Sequence, residues 1–179
     1  LDSVRGKDKQ RGTFRTSQNW IGTPGTPIEK ATYVPPAPEL LMEYLDNFEK
    51  YVHSEEKDIL VQLAILHAQF EIIHPFLDGN GRLGRILVPV FLLEKGLLDY
   101  PVFYISEYID DNREVYYERL RGITQNNDWE TWIEFFLTTI IEQSKTNSLK
   151  ANAILNLYES MKEEIDRTLK SQYSIRTLD

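Results

Sequence analysis

The chain has 179 residues, 28 acidic against 20 basic side chains, a formal net charge of −8 and no cysteine. Its length suits one domain with a real core, and its acidity argues against a dedicated nucleic-acid surface. Missing thiols exclude disulfides and thiolate chemistry and fit a cytoplasmic protein, while no apolar run reaches the ~20 residues of a membrane span.

No signal-peptide pattern opens the chain, and its first residue, Leu1 rather than Met, points to a piece of a longer protein. Residues 1–18 are polar and locally basic (Arg5, Lys7, Lys9, Arg11, Arg15) and read as a solvated arm. Residues 19–38 hold five of the eight prolines. Short β-prone pieces, Trp20–Ile21 and Thr32–Val34, flank a Pro/Gly turn and predict a small hairpin.

A helical period follows, with Leu40, Leu41, Tyr44, Leu45 and Phe48 on one stripe. Ser54 is the expected N-cap of a second helix running through Ile59 and Leu63 to Ile73. A third, over 82–95, is apolar nearly all round, with a kink expected at Pro89 and an end at Gly96. Ser106 should cap a helix over 106–125, and Asp128 one over 129–145. A last amphipathic helix over 148–170 carries Ile154, Leu155, Tyr158, Met161 and Ile165 on one side. The pattern predicts an all-α bundle with one small β-hairpin.

Between the second and third helices lies H-P-F-L-D-G-N-G-R-L-G-R, residues 74–85. Pro75 pushes His74 out of helical conformation, and Gly79 and Gly81 allow successive N–H groups to point into one concavity. The next helix, starting at Gly81 or Arg82, adds its partial positive end. Arg82 and Arg85 share a face of its first turn, where guanidinium forks suit phosphate. Asp78 can hold a Mg²⁺ that bridges such phosphates, and His74 can take a proton from a hydroxyl. The residues alone therefore point to Mg²⁺-dependent transfer from a nucleotide to a hydroxyl.

This stretch resembles the signature of the Fic (Fic/Doc) family, H-P-F-x-D/E-G-N-G-R-x-x-R, at every defined position. N-W-I-G at 19–22, Y-V-P-P at 33–36 and H-A-Q-F-E-I-I before the motif extend the likeness to roughly two-thirds of the chain, about Arg11 to Phe136. The resemblance implies a Fic-like helical bundle with a β-hairpin flap, and transfer of AMP from ATP to a Ser, Thr or Tyr hydroxyl of a protein, another or itself. By it His74 is the general base and Asp78 the Mg²⁺ ligand. Gly79, Asn80 and Gly81 hold the α-phosphate region, and Arg82 and Arg85 neutralise the β- and γ-phosphates. Phe76 is a buried anchor of the loop. The 19–38 segment becomes a flap, with Ile21, Gly22 and Val34 clamping the target segment by strand addition. One of Tyr116 and Tyr117 borders the base, with Tyr117 the candidate.

The implied organisation is one domain: arm and flap over 1–38, catalytic core over 39–146, and a C-terminal helix over 147–179 that leads toward a further domain. Many relatives carry an inhibitory helix, S/T-x-x-x-E-G/N. Only S-M-K-E-E-I at 160–165 approaches it, with Ile165 at the Gly/Asn position, so the inhibitory element is expected upstream of Leu1 and this piece is expected to be deregulated. Other readings stay open: phosphate or UMP transfer, removal of AMP, or a non-catalytic nucleotide-sensing or protein-binding module. A metal hydrolase on His67, Glu71 and His74, at i, i+4 and i+7, is another, although His67 reads rather as a core histidine and His53 as a surface one. The partners implied are ATP and a target protein, with homo-oligomerisation possible and a membrane or nucleic acid not expected.

Overall fold

A computed structural model describes residues 12–23 and 25–169. The basic residues Arg5, Lys7, Lys9 and Arg11 of the arm, and the end of the chain over 170–179, lie outside the described residues. The chain divides into two compact units, Leu1–Ile140 and Ile141–Asp179. Among the described residues there is no sheet, and six α-helices carry the fold: α1 (Leu41–Val52), α2 (Ile59–Ile73), α3 (Asn80–Glu94), α4 (Ser106–Asp111), α5 (Arg113–Asn126) and α6 (Trp129–Leu169).

The first unit is built around α2, which is apolar on every side and buries Leu63, Ala64, Leu66, Ala68, Phe70 and Ile73. It packs mainly on α3 and α1, with Val88, Phe91 and Leu92 of α3 meeting it. Trp132, Phe136 and Ile140, from the start of α6, complete the core. The Trp132 indole is fully buried and donates to the Ala64 carbonyl at 2.9 Å, so its one polar group is satisfied.

Several expected boundaries hold for local reasons. Gly96, at φ +71°, closes α3 with its own N–H on the Leu93 carbonyl at 3.0 Å and the Leu97 N–H on the Leu92 carbonyl at 2.9 Å. Only a residue tolerant of left-handed backbone ends a helix this way. Asp128 caps α6 through the Thr131 N–H at 3.2 Å.

Others are corrected. Asp58, not Ser54, is the N-cap of α2, accepting from the Leu60 and Val61 N–H groups at 2.9 and 3.1 Å. Ser54 instead donates to the Tyr51 carbonyl at 2.9 Å, within the turn that ends α1. The helix expected over 106–125 is interrupted at Asn112, whose backbone leaves helical geometry at φ −113° and ψ 31° while its side-chain amide joins its own N–H on the Tyr108 carbonyl, at 2.9 and 3.0 Å. Ser106 opens α4 without capping it. Conversely, the two helices expected over 129–145 and 148–170 are one, because K-T-N-S contains neither Gly nor Pro to stop it. In the second unit, Ile154, Leu155 and Met161 of α6 are exposed.

The hairpin does not form. Residues 19–38 make a single antiparallel bridge, Ile21 to Tyr33, with a 3-10 turn over Ile28–Lys30 between them. The Ile21 N–H donates to the Tyr33 carbonyl at 2.8 Å, and the Ile21 carbonyl accepts from Thr32 and Tyr33 at 2.7 and 3.1 Å. Pro35 lacks the N–H that the next pair with Asn19 needs, and on the turn side the Ala31 N–H goes to the Ile28 carbonyl and the Thr23 carbonyl to the Thr26 N–H, both at 3.0 Å, so the bridge stays single.

Candidate active site

The motif lies where α2 ends and α3 begins. His74 is the C-cap of α2, held in left-handed conformation at φ 49° and ψ 59°. A non-glycine residue there costs about 1–2 kcal/mol, and such strain persists only where the surroundings over-determine it. Here the surroundings are Arg15. Its Nε donates to the His74 carbonyl at 2.9 Å, its Nη2 to the Pro36 carbonyl and to Ile73 at 3.4 Å, and its backbone N–H to Pro75 at 2.9 Å. The guanidinium thus satisfies the orphan carbonyls at the end of α2 and sits at the negative end of its dipole. Arg15, 2 % exposed, is not the solvated arm residue expected from local charge.

His74 is half-buried, and its Nδ1 lies 3.3 Å from the Glu71 carbonyl. A carbonyl only accepts, which puts the proton on Nδ1 and leaves Nε2 as the basic nitrogen. Burial lowers the imidazole pKa below 6.5; the hydrogen bond to Glu71 opposes this and the Arg15 charge adds to it. His74 is therefore neutral at pH 7, the state a general base requires.

Around the loop, the Asn80 side chain is 2 % exposed and clasps Phe76: its Oδ1 accepts the Phe76 N–H at 2.8 Å and its Nδ2 donates to the Phe76 carbonyl at 2.7 Å. Asn19, from the first segment, donates to the same carbonyl at 3.1 Å. The Asn80 amide is thus spent on organising the loop. Phe76 is half-buried against Phe14, with ring centroids 5.4 Å apart, and the fully buried residue beside it is Pro75.

Gly79, at φ +89°, is the N-cap of α3, which starts at Asn80. The first-turn N–H groups have no acceptor within the helix and form the anion-favouring end. Asp78 and Arg82, both exposed, face each other at 3.9 Å. A single exposed carboxylate beside a phosphate nest fits Mg²⁺, which takes one or two carboxylates with substrate phosphates rather than a protein cage. No group of three or more metal-binding side chains occurs among the described residues.

His67 is excluded as a metal ligand. It is fully buried, with Nδ1 3.1 Å from the Gly84 carbonyl and Nε2 3.0 Å from the Tyr116 hydroxyl. Both nitrogens are committed, Nδ1–H to the carbonyl and Nε2 to the hydroxyl proton. Burial pushes its pKa down to about 4, so it is a neutral link between α2, α3 and α5. His53 is exposed at the end of α1, near Glu94 at 3.8 Å.

Beside the motif is an open cavity of about 1030 Å³. Ile21, Gly22, Thr32 and Tyr33 form one wall, Glu71 and Ile72 of α2 its floor, and Arg113, Tyr117 and Arg121 of α5 the other wall. Tyr117 is exposed into this region at 46 %, whereas Tyr116 is buried. Of the flap residues, Ile21 and Gly22 line the cavity; Val34 is exposed and does not. His74, Asp78, Arg82 and Arg85 are also outside its lining, and Glu71, one turn before His74, joins the two regions.

Two residues matter more than sequence reading allowed. Arg15 carries no local signal, since its partners are 21 to 59 residues away. Glu71 entered the sequence reading only as a member of the His67, Glu71 and His74 metal set. Burial pushes its carboxyl up to about 7, against the lowering influence of Arg85.

Comparison with known proteins supports the frame just described. The Fic/DOC family model matches residues 3–92. A probable protein adenylyltransferase of Aquifex aeolicus is 38% identical over 85 residues, 47% of this chain and 27% of the relative. The protein adenylyltransferase Fic of Drosophila yakuba is 31% identical over 127 residues, 69% of this chain and 22% of the relative. The chain thus spans about a quarter of the length of these curated relatives. A solved Fic family protein from Desulfovibrio desulfuricans superposes with a TM-score of 0.68 at 26% identity, covering 82% of this chain and 44% of the other. A neutral histidine at a strained helix end, a glycine-capped anion nest and a matching family frame lead to one conclusion: the chain belongs to the Fic/DOC family.

Proposed function

We propose that this chain transfers AMP from ATP to a Ser, Thr or Tyr hydroxyl of a protein. The observation that carries this reading is His74, held neutral with Nε2 unprotonated at the edge of a glycine-capped helix N-terminus. The relatives' names, protein adenylyltransferase, support the same reaction class. The acceptor oxygen attacks the α-phosphorus as His74 Nε2 takes its proton. The bond from the α-phosphorus to the bridging oxygen breaks, and pyrophosphate leaves with that electron pair. The first-turn N–H groups of α3, with Arg82 and Arg85, stabilise the phosphate charge. Mg²⁺ held by Asp78 and the phosphates supplies further charge neutralisation when bound.

The nucleotide base and the acceptor segment are assigned to the cavity between the bridged first segment and α5, with Tyr117 beside the base and Ile21 and Gly22 beside the acceptor. A volume of about 1030 Å³ accommodates both. The cytoplasm is the compartment proposed, supported by a chain without cysteine.

The test is incubation with Mg²⁺ and ATP labelled at the α or the γ position, using wild type and His74→Ala. Protein label from the α position, lost in His74→Ala, is expected. Label from γ alone would mean phosphate transfer, and ATP binding without label under any acceptor tried would favour a sensing module.

A further inference from the structure

Glu71 and Arg85 are neither in the flap nor on the exposed rim, yet both side chains come up to Gly81 of the motif. An ideal Cβ on Gly81 would lie 3.4 Å from Arg85 Nη1 and 3.8 Å from Glu71 Oε1, so both head groups flank the same missing methyl. An ideal Cβ on Gly84 would overlap Glu71 Oε1 outright. The first two turns of α3 are therefore cut back at Gly81 and Gly84, where alanine would serve a helix better, and the Glu71 carboxyl takes the space at Gly84. That group is out of balance: Glu71 Oε1 is buried with no hydrogen-bond partner. Among the described residues the Arg85 guanidinium has neither a hydrogen bond nor an ion pair. A buried acceptor without a hydrogen-bond donor and a cation with no ion pair among the described residues, on two sides of Gly81, are complementary.

We propose that Glu71 is a positioning residue for Arg85, its carboxylate holding the guanidinium from behind so that the outer N–H groups face a bound polyphosphate. A planar fork suits this double use, one edge on the carboxylate and the other on phosphate. Without Arg85 between them, a carboxylate at the floor of an anion nest would only repel the ligand. The other ionisable groups near Glu71 do not replace it. His67 and His74 on α2 are both held neutral, and the Tyr116 hydroxyl of α5 is kept protonated by burial and bonded to His67.

The inference rests on the anion-site part of the proposed function, and its test separates the two. Binding of inorganic tripolyphosphate with Mg²⁺, and of ATP with Mg²⁺, is measured by calorimetry at about pH 8, where the carboxylate form dominates. The variants are Glu71→Gln, Glu71→Asp, Arg85→Ala and the double variant Glu71→Gln/Arg85→Ala. Glu71→Gln, isosteric but uncharged, is expected to weaken both ligands about tenfold. Glu71→Asp, charged but set back by one methylene, should fall between it and wild type. In the Arg85→Ala background Glu71→Gln should cost nothing further, since residues acting through one another are not additive. Equal or tighter binding by Glu71→Gln, or the same loss with and without Arg85, overturns the positioning role. A Glu71-dependent tripolyphosphate affinity without AMP transfer would sink the proposed reaction and leave the positioning role standing. Failure of wild type to bind either ligand would sink both.

Discussion

Replacing Glu71 by Gln should change how stability depends on pH, and the sign follows from burial. The Glu71 carboxyl is raised from 4.5 to about 7 in the folded chain. Below about pH 4.5 it is neutral in both states. As pH rises from there the unfolded chain gives up this proton while the folded chain keeps it, so folding loses ~1.4 kcal/mol per pH unit. The loss is complete near pH 7 and totals about 3 kcal/mol. His67 works oppositely. Its pKa is lowered from 6.5 to about 4, so the unfolded chain binds a proton that the folded one refuses, and stability rises by a similar ~3 kcal/mol as pH climbs through that window. His74, also lowered, acts in the His67 direction. In wild type the Glu71 and His67 contributions oppose each other across most of the acid range. Glu71→Gln removes one of them. Urea unfolding followed by circular dichroism at about pH 4.5 and about pH 7 gives the difference between the two proteins, in which every other acid cancels. That difference should shift in favour of Glu71→Gln by about 3 kcal/mol between the two conditions. A difference that does not move with pH would refute the burial of the Glu71 carboxyl.

Arg15→Met keeps the length of the side chain but leaves the His74, Ile73 and Pro36 carbonyls without their donor. A loss of about 3 kcal/mol is expected in urea unfolding, together with a reduced rate of the proposed AMP transfer as the strained His74 relaxes. Gly84→Ala meets Glu71 Oε1, so the usual gain of ~1 kcal/mol for alanine in a helix should be reversed to a net loss of about 1–2 kcal/mol. In Glu71→Ala, where the clash is gone, the same substitution should become neutral or favourable, and a thermal-melting cycle of the four proteins decides it. Asp58→Ala should cost ~1 kcal/mol by loss of the α2 cap, with no effect on nucleotide affinity; an equal loss from Ser54→Ala would contradict the cap seen here.

The motif between 74 and 85, the helix ends at Gly96 and Asp128, and the helical class were legible in the amino-acid sequence because each depends on residues a few positions apart. Periodicity, a left-handed glycine and a capping carboxylate act over one turn of chain, so reading along the chain finds them. The errors of local reading were themselves local contests: Asp58 against Ser54 for one cap, Asn112 against the backbone of 106–125, and prolines against a ladder in 19–38. Tertiary structure alone decided the rest. Arg15 reaches carbonyls 58 and 59 residues away, His67 spends its second nitrogen on Tyr116, 49 residues on, and Glu71 and Arg85 both come close to Gly81 only because α2 and α3 pack against each other. A charged or polar residue has no period that reveals its partner. Where it goes is set by which buried acceptor or cation the packed helices bring within hydrogen-bond or Coulomb range, and that is a property of the folded chain.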